Sequence, residues 1–386
     1  MIALIVFGLI PFGIWVYLLV GRGMFWLARE RDDLDQPAQP TAWPAVVAVV
    51  PARNEADVIA KAVGSLAAQD YPGPFRIILV DDQSDDGTAD IAREAAARTG
   101  AADRLEVISG RPLPAGWVGK MWAVDQGVAR AACVMPDYLW LTDADIGHAP
   151  DNLRHLVSRA QAGRLSLVSL MVRLKCDTWA DRMMIPAFVF FFDMLFPFRW
   201  VNQPTRHISA GAGGCMLVRR TSLEAAGGIA SIKDAIIDDC ALAGRLKRQG
   251  PIWLGLTLRA QSLRAYGSMG EIGRMVSRSA YAQLNYSVLL LAGTLLGMIL
   301  TYLAPPLAAV FGSGTLRLLG LVTWLMMAVS FQPVLKLYKA SPLWGLALPA
   351  IGLLYTVFTV QSAVQVWSGR GGMWKGRAQA LAGVER

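Results

Sequence analysis

Arg76-Ile77-Ile78-Leu79-Val80-Asp81-Asp82-Gln83-Ser84-Asp85-Asp86-Gly87-Thr88 passes from a five-residue run, four of them aliphatic, into a dense polar cluster without a break. A short aliphatic run bounded by turn residues reads as a buried strand. The segment that follows, Thr88–Arg98, has its apolar residues at helical spacing. The same grammar recurs on either side. Ala45–Val50, Leu105–Ile108 and Tyr138–Leu141 read as strands, and Ala56–Ala68 and Met121–Ala132 as helices. Strands alternating with helices predict an α/β domain with a mostly parallel sheet covered on both faces, over roughly residues 44–285. Ligands of such sheets bind outside the carboxyl ends of the strands. Three of the runs end in polar clusters: Val50 in Pro51-Ala52-Arg53-Asn54-Glu55, Val80 in Asp81-Asp82, and Leu141 in Thr142-Asp143-Ala144-Asp145. All three are expected on one edge.

The composition places that domain on a membrane. Hydrophobic residues make up 54% of the 386 and charged residues 17%, where soluble domains carry about 25% charged. Disorder and small disulfide scaffolds are excluded. Ile2–Val20 is about as long as a bilayer core requires, and Arg22, Arg29 and Arg31 follow it. This predicts an uncleaved anchor over 1–22 whose C-terminal flank is cytoplasmic. Between Tyr286 and Trp367 no Asp or Glu occurs. We divide that region, 286–367, into the spans Ser287–Phe311, Leu316–Val334 and Leu343–Trp367, followed by a basic tail over 368–386. Pro305 and Pro306 would free backbone carbonyls in the first of these, for neighbouring helices to satisfy. With 37 Lys and Arg against 29 Asp and Glu, the net charge is +8. The basic residues flank apolar segments, so the partner they predict is an anionic membrane and not nucleic acid. Met183–Trp200 is as apolar as a span but holds Asp193 and two prolines. It reads either as a core helix or as an interfacial one. The interfacial reading, with Phe190, Phe191, Phe192 and Phe198 toward lipid, is preferred because the run ends in Arg199-Trp200.

Carboxylates gathered at strand ends repel one another unless a cation intervenes. Asp143 and Asp145, with Asp81 and Asp82 nearby, are therefore candidates to share Mg²⁺ or Mn²⁺ with a diphosphate, three or four carboxylates converging there. Alone, each cluster reads equally as a turn or a helix cap. Lys120 opens a helix where it could meet a phosphate. The glycine-rich turn with Gly213 and Gly214 suits close approach of a ligand. Asp238-Asp239 precedes the helix Cys240–Arg248. One of these aspartates can cap that helix, and the other is a candidate general base. His148, three residues past Asp145, could approach the metal, although His148, His155 and His207 form no spacing that suggests a ligand set.

Taken in order and spacing, Val49–Glu55, Val80–Thr88 and Asp143-Ala144-Asp145 resemble family 2 glycosyltransferases of the GT-A fold. Gly116-Trp117-Val118-Gly119-Lys120-Met121-Trp122-Ala123, Ile185–Trp200 and Ile237–Ala243 resemble the hopene-associated branch. The resemblance implies inverting transfer from a nucleotide sugar, a UDP-sugar, to a lipid hydroxyl such as a hopanoid's, at the cytoplasmic face of the cell membrane. It gives Ala52, Asn54, Glu55 and Asp82, with Asp81, to the nucleotide. Asp145 and Asp143 fall to the metal and diphosphate, and Asp239 to the catalytic base, within a pair usually written Glu-Asp. The Gln- or Arg-x-x-Arg-Trp motif of ceramide glucosyltransferases and cellulose-synthase-like members is reduced to Arg278 in Met275-Val276-Ser277-Arg278-Ser279. That departure argues against processive synthesis and leaves Arg278 an acceptor-side candidate. Two other readings of the residues stay open: a nucleotidyltransferase, and a scaffold that only binds nucleotide.

Overall fold

The computed structural model describes residues 2–369, 373–374 and 377–378. The basic tail 368–386 thus lies outside the described residues except at those positions. The chain forms two units, and each draws on separated stretches of sequence. One comprises residues 30–175 and 200–265, the other 2–29, 176–199 and 266–369.

The first unit is an eight-stranded sheet. Its strands are β1 (Val46–Ala52), β2 (Phe75–Asp81), β3 (Leu105–Ser109), β4 (Tyr138–Thr142), β5 (Ile146–His148), β6 (Leu167–Arg173), β7 (Cys215–Arg219) and β8 (Ile252–Ser262). Their order is β3-β2-β1-β4-β7-β6-β8-β5. β3, β2, β1 and β4 run parallel, as the βα alternation requires, whereas β7 and β5 pair antiparallel with their neighbours. Every residue of β1 is buried, because helices cover both faces. Alternation along the strand assigns the faces. Val46, Ala48 and Val50 pack with Ile59, Val63 and Leu66 of the helix Ile59–Ala67. Val49, on the other face, meets Gly127 of the helix Gly119–Ala131, where a Cβ would stand 2.4 Å from Val49 Cγ1. That glycine lets the helix lie directly on the sheet.

The second unit is helical. Val288–Phe311, Gly314–Leu337 and Leu348–Trp367 are long and apolar enough to cross a membrane, and Gly8–Gly21 is a shorter apolar helix. Pro305 cannot donate to the carbonyl four residues earlier, that of Thr301. The Trp15 indole N–H donates to this oxygen at 2.8 Å, and the backbone there widens into a π turn over Ile299–Leu303.

Met183–Trp200 is a mostly buried segment and not the interfacial helix preferred from its sequence. The helix Trp179–Leu195 belongs to the helical unit. Phe190, Phe191 and Phe198 are buried and Phe192 is half-buried, so the expected lipid-facing aromatic row is absent. Phe190 packs on Phe25 and Phe331, and Phe191 on Tyr302 and Tyr355. Arg22 donates to the carbonyls of Met194 and Leu195, closing the C-terminus of that helix. An all-round apolar sequence forms a helix buried among other apolar helices. The interfacial reading did not count the aromatic partners far along the chain.

Candidate active site

β1 and β2 run in register with Ala52 opposite Asp81, so the loops leaving them emerge side by side. Their polar residues cross-link. The Asn54 amide donates to Ser84 Oγ at 3.0 Å, the Glu55 amide to Thr88 Oγ1 at 2.9 Å and the Ala56 amide to Asp86 Oδ2 at 3.0 Å. Asn54 Oδ1 accepts from the Asp85 amide at 3.1 Å. Asn54 and Gln83 both sit at positive φ, 52° and 57°, a conformation that asparagine tolerates better than most residues. Asp85, Asp86 and Thr88 therefore shape the loop that carries Asn54 and Glu55. Asp81 Oδ1 accepts from the Ser84 amide at 3.3 Å. Asp82 is fully buried, with Arg53 Nη1 3.8 Å from Oδ2 and 2.5 Å from its carbonyl oxygen.

Asp143 and Asp145 follow β4. Lys120, in the first turn of the helix Gly119–Ala131, places Nζ 2.8 Å from Asp143 Oδ1 and 3.4 Å from Asp238 Oδ2. Burial opposes the charge on this lysine, but Asp143, Asp238 and Asp239 outweigh it and hold the ammonium protonated far above its ordinary range. Asp239 Oδ2 accepts from the Gly213 amide at 3.0 Å, and Oδ1 from the Cys240 amide at 2.7 Å. Burial, reinforced by Asp238, pushes the Asp239 carboxyl up to about 6, with Lys120 and the two amides opposing. Lys120, Asp143, Gly213, Asp238 and Asp239 line one cleft. The helix beginning at Asp238 contributes the favourable end of its dipole to this cluster.

Gly214 has a packing function instead: a Cβ there would stand 2.8 Å from Val172 Cγ2. Arg278 follows the helix Met269–Ser277 in the helical unit. It is not among the residues that the sheet unit brings together. His148 is a core residue, buried between Thr142 and Asn152 at 2.9 and 3.0 Å and kept neutral by that burial.

The expected gathering of three or four carboxylates is not found. Among the described residues no three His, Cys, Asp or Glu side chains stand close enough to hold a metal together. Asp143 is engaged by Lys120, Asp81 by its own turn, and Asp82 is buried beside Arg53. Asp145 is the remaining candidate. Burial, then Asp143 and Glu55, push its carboxyl up to about 6, against the pull of Arg264. Such an excess of negative charge fits a hard divalent cation taking one or two carboxylates, with the other ligands coming from diphosphate and water. Two contributors escaped the sequence reading. Arg53 lay inside a quoted motif without a role. Arg264 ion-pairs with Glu55 across 209 positions, a separation that no local pattern signals.

Residues 47–227 match the family model described as glycosyl transferase family 2. Two curated relatives, the beta-monoglucosyldiacylglycerol synthases of Trichormus variabilis and of Nostoc sp., are each 29% identical over 213 residues. The match covers 53% of this chain and 41% of each relative, so the chain spans about two-fifths of their length. Among solved structures, the mannosyltransferase PcManGT from Pyrobaculum calidifontis, in complex with GDP-Man and Mn2+, is similar with a TM-score of 0.55. Identity there is 18%, covering 94% of this chain and 99% of that one. This likeness is one of fold.

Proposed function

We propose that the chain is a membrane-attached, inverting family 2 glycosyltransferase of the GT-A fold that moves a sugar from a UDP-sugar to a lipid hydroxyl. One observation carries the reading: Lys120 ties Asp143, at a strand end, to Asp238, at a helix start, so candidate donor and base residues share one cleft. The loop with Ala52, Asn54 and Glu55, and the turn with Asp81 and Asp82, hold the nucleotide. Lys120 meets the diphosphate, a role its fixed charge suits. Asp145 would hold Mg²⁺ or Mn²⁺, which when bound would supply positive charge to the departing diphosphate, while Asp143 stays paired with Lys120 beside it. Asp239 accepts the proton of the acceptor hydroxyl as that oxygen attacks the anomeric carbon from the face opposite the leaving group. Its two backbone amides fix the carboxylate for that task.

The lipid acceptor is supported by the apolar helices and by the relatives' names, and the hopanoid class by the Gly116–Ala123 resemblance alone. Arg22, Arg29 and Arg31 support a catalytic unit at the cytoplasmic face of the cell membrane. The test incubates membranes containing the chain with UDP-sugars and a polar-lipid extract, then weighs the lipids. A gain of one hexose or N-acetylhexosamine is expected. A nucleotidyl adduct would instead support a nucleotidyltransferase, and bound UDP with no lipid product a scaffold.

A further inference from the structure

Arg264 stands two residues beyond β8. Its guanidinium reaches three carboxylates on two separate loops. Nη2 lies 2.5 Å from Glu55 Oε2 and 3.1 Å from Asp57 Oδ1, and Nε lies 4.0 Å from Asp145 Oδ2. Glu55 and Asp57 leave β1, and Asp145 follows β4, so one side chain spans two of the strand ends that form the cleft edge. A guanidinium keeps its proton under all ordinary conditions and presents donors in a fixed fork. It is therefore a permanent cation set among three anions.

The compensation is unequal. Glu55 and Asp57 are in direct contact, whereas Asp145 is held only at 4.0 Å. A divalent cation bound to Asp145 would come within a few ångströms of Nε, where like charges repel strongly. The two cations would compete for the one carboxylate. Asp57 is the most exposed of the three carboxylates, and it can retain the guanidinium when the arginine turns outward.

We propose that Arg264 is a place-holding counter-cation, a positioning residue that keeps Glu55 and Asp145 together while the site is metal-free and withdraws toward Asp57 when a divalent cation is taken. The inference rests on the reading of Asp145 as the carboxylate that holds the metal.

The experiment titrates Mn²⁺ into the full-length chain in detergent without nucleotide, following the loss of the free-ion paramagnetic signal. Wild type, Arg264→Gln, Arg264→Lys and Asp145→Asn are compared. Removing one positive charge about 4 Å from the ligand should tighten Mn²⁺ binding by at least about tenfold in Arg264→Gln. Arg264→Lys should fall between that variant and wild type, because an ammonium cannot serve two carboxylates as a fork does. Without metal, Arg264→Gln should also melt lower than wild type, and Mn²⁺ should close part of that gap. Asp145→Asn should weaken Mn²⁺ binding at least about tenfold. If Asp145→Asn weakens binding but Arg264→Gln binds no tighter than wild type, the place-holding role is overturned while the metal reading stands. Unchanged binding in Asp145→Asn overturns both. Should Arg264→Gln not fold, an Arg264→Lys affinity no tighter than wild type overturns the proposal.

Discussion

Asp239→Asn tests the proposed chemistry at one atom. In the wild type two backbone amides, those of Gly213 and Cys240, each donate to one carboxylate oxygen. Asparagine offers one oxygen, so one amide must face an NH₂ group, and an unsatisfied buried donor costs about 1–3 kcal/mol. The substitution also removes an anion whose burial beside Asp238 already pushes its pKa up to about 6. The two effects oppose, and the variant should fold with a melting temperature close to that of wild type and bind UDP normally. Turnover is another matter, since an amide takes no proton. The loss should be about 10²–10⁴-fold, equivalent to about 3–5 kcal/mol of barrier. The sign of the pH dependence follows from the raised pKa. The basic form grows as pH rises through about 6, so wild-type turnover should climb across that value, and the variant should keep only the part of this limb that Asp145, also pushed up to about 6, contributes. Stability runs the other way: a raised carboxyl pKa means that the folded state is disfavoured as pH rises from the unfolded value toward 6. The assay is sugar transfer to lipid from pH 5 to 8 with saturating donor. Retention of more than about a tenth of the turnover would refute the role. A silent Asp238→Asn beside an active Asp239→Asn would transfer the role to the neighbour.

Asp145→Ala should cost at least about 10²-fold in turnover, the scale of removing one preorganised charge-stabilising group. Calorimetry should likewise show UDP binding tightened by Mg²⁺ or Mn²⁺ in the wild type but not in this variant. Phe191→Ala opens a hole between Tyr302 and Tyr355 and should destabilise the helical unit by about 3–5 kcal/mol, read as a lower melting temperature in detergent. Gly127→Ala forces a methyl toward Val49 and Val80, at 2.4 and 3.0 Å. It should cost about 1–3 kcal/mol of stability and leave the pH dependence of turnover unchanged.

The sheet was legible because its signals are local. The run Arg76–Val80 became Phe75–Asp81, and Thr88–Arg98 is a helix over that same range. Boundaries moved where local chemistry is ambiguous: the helix expected from Met121 begins at Gly119, and the one expected from Cys240 begins at Asp238. Proximity of the three strand ends followed from parallel pairing alone. Charge pairing across the cleft did not. Whether a carboxylate meets a lysine, an arginine or another carboxylate depends on side chains brought together by the fold, as Lys120 with Asp143 and Arg264 with Glu55 illustrate. The expected convergence of three or four carboxylates is not seen for this reason: Arg53, Lys120 and Arg264 are interleaved with them. Met183–Trp200 failed similarly. Its apolarity was legible, but its covering residues, Phe25, Tyr302, Phe331 and Tyr355, come from both ends of the chain.

That last arrangement constrains the order in which the molecule can be made. Trp15 waits for the carbonyl of Thr301, 286 residues later, and the helix Trp179–Leu195 waits for Tyr302, Phe331 and Tyr355. A ribosome delivers the first apolar helix and this middle one long before their partners exist. Contacts of such sequence separation form slowly, and exposed apolar surface in the interval invites aggregation. Removing the C-terminal helices to obtain a soluble enzyme would make that interval permanent, stripping the cover from Phe190 and Phe191 in a segment that cannot be deleted without cutting between β6 and β7. The sheet unit is therefore not separable from the apolar helices by any single cut in the chain.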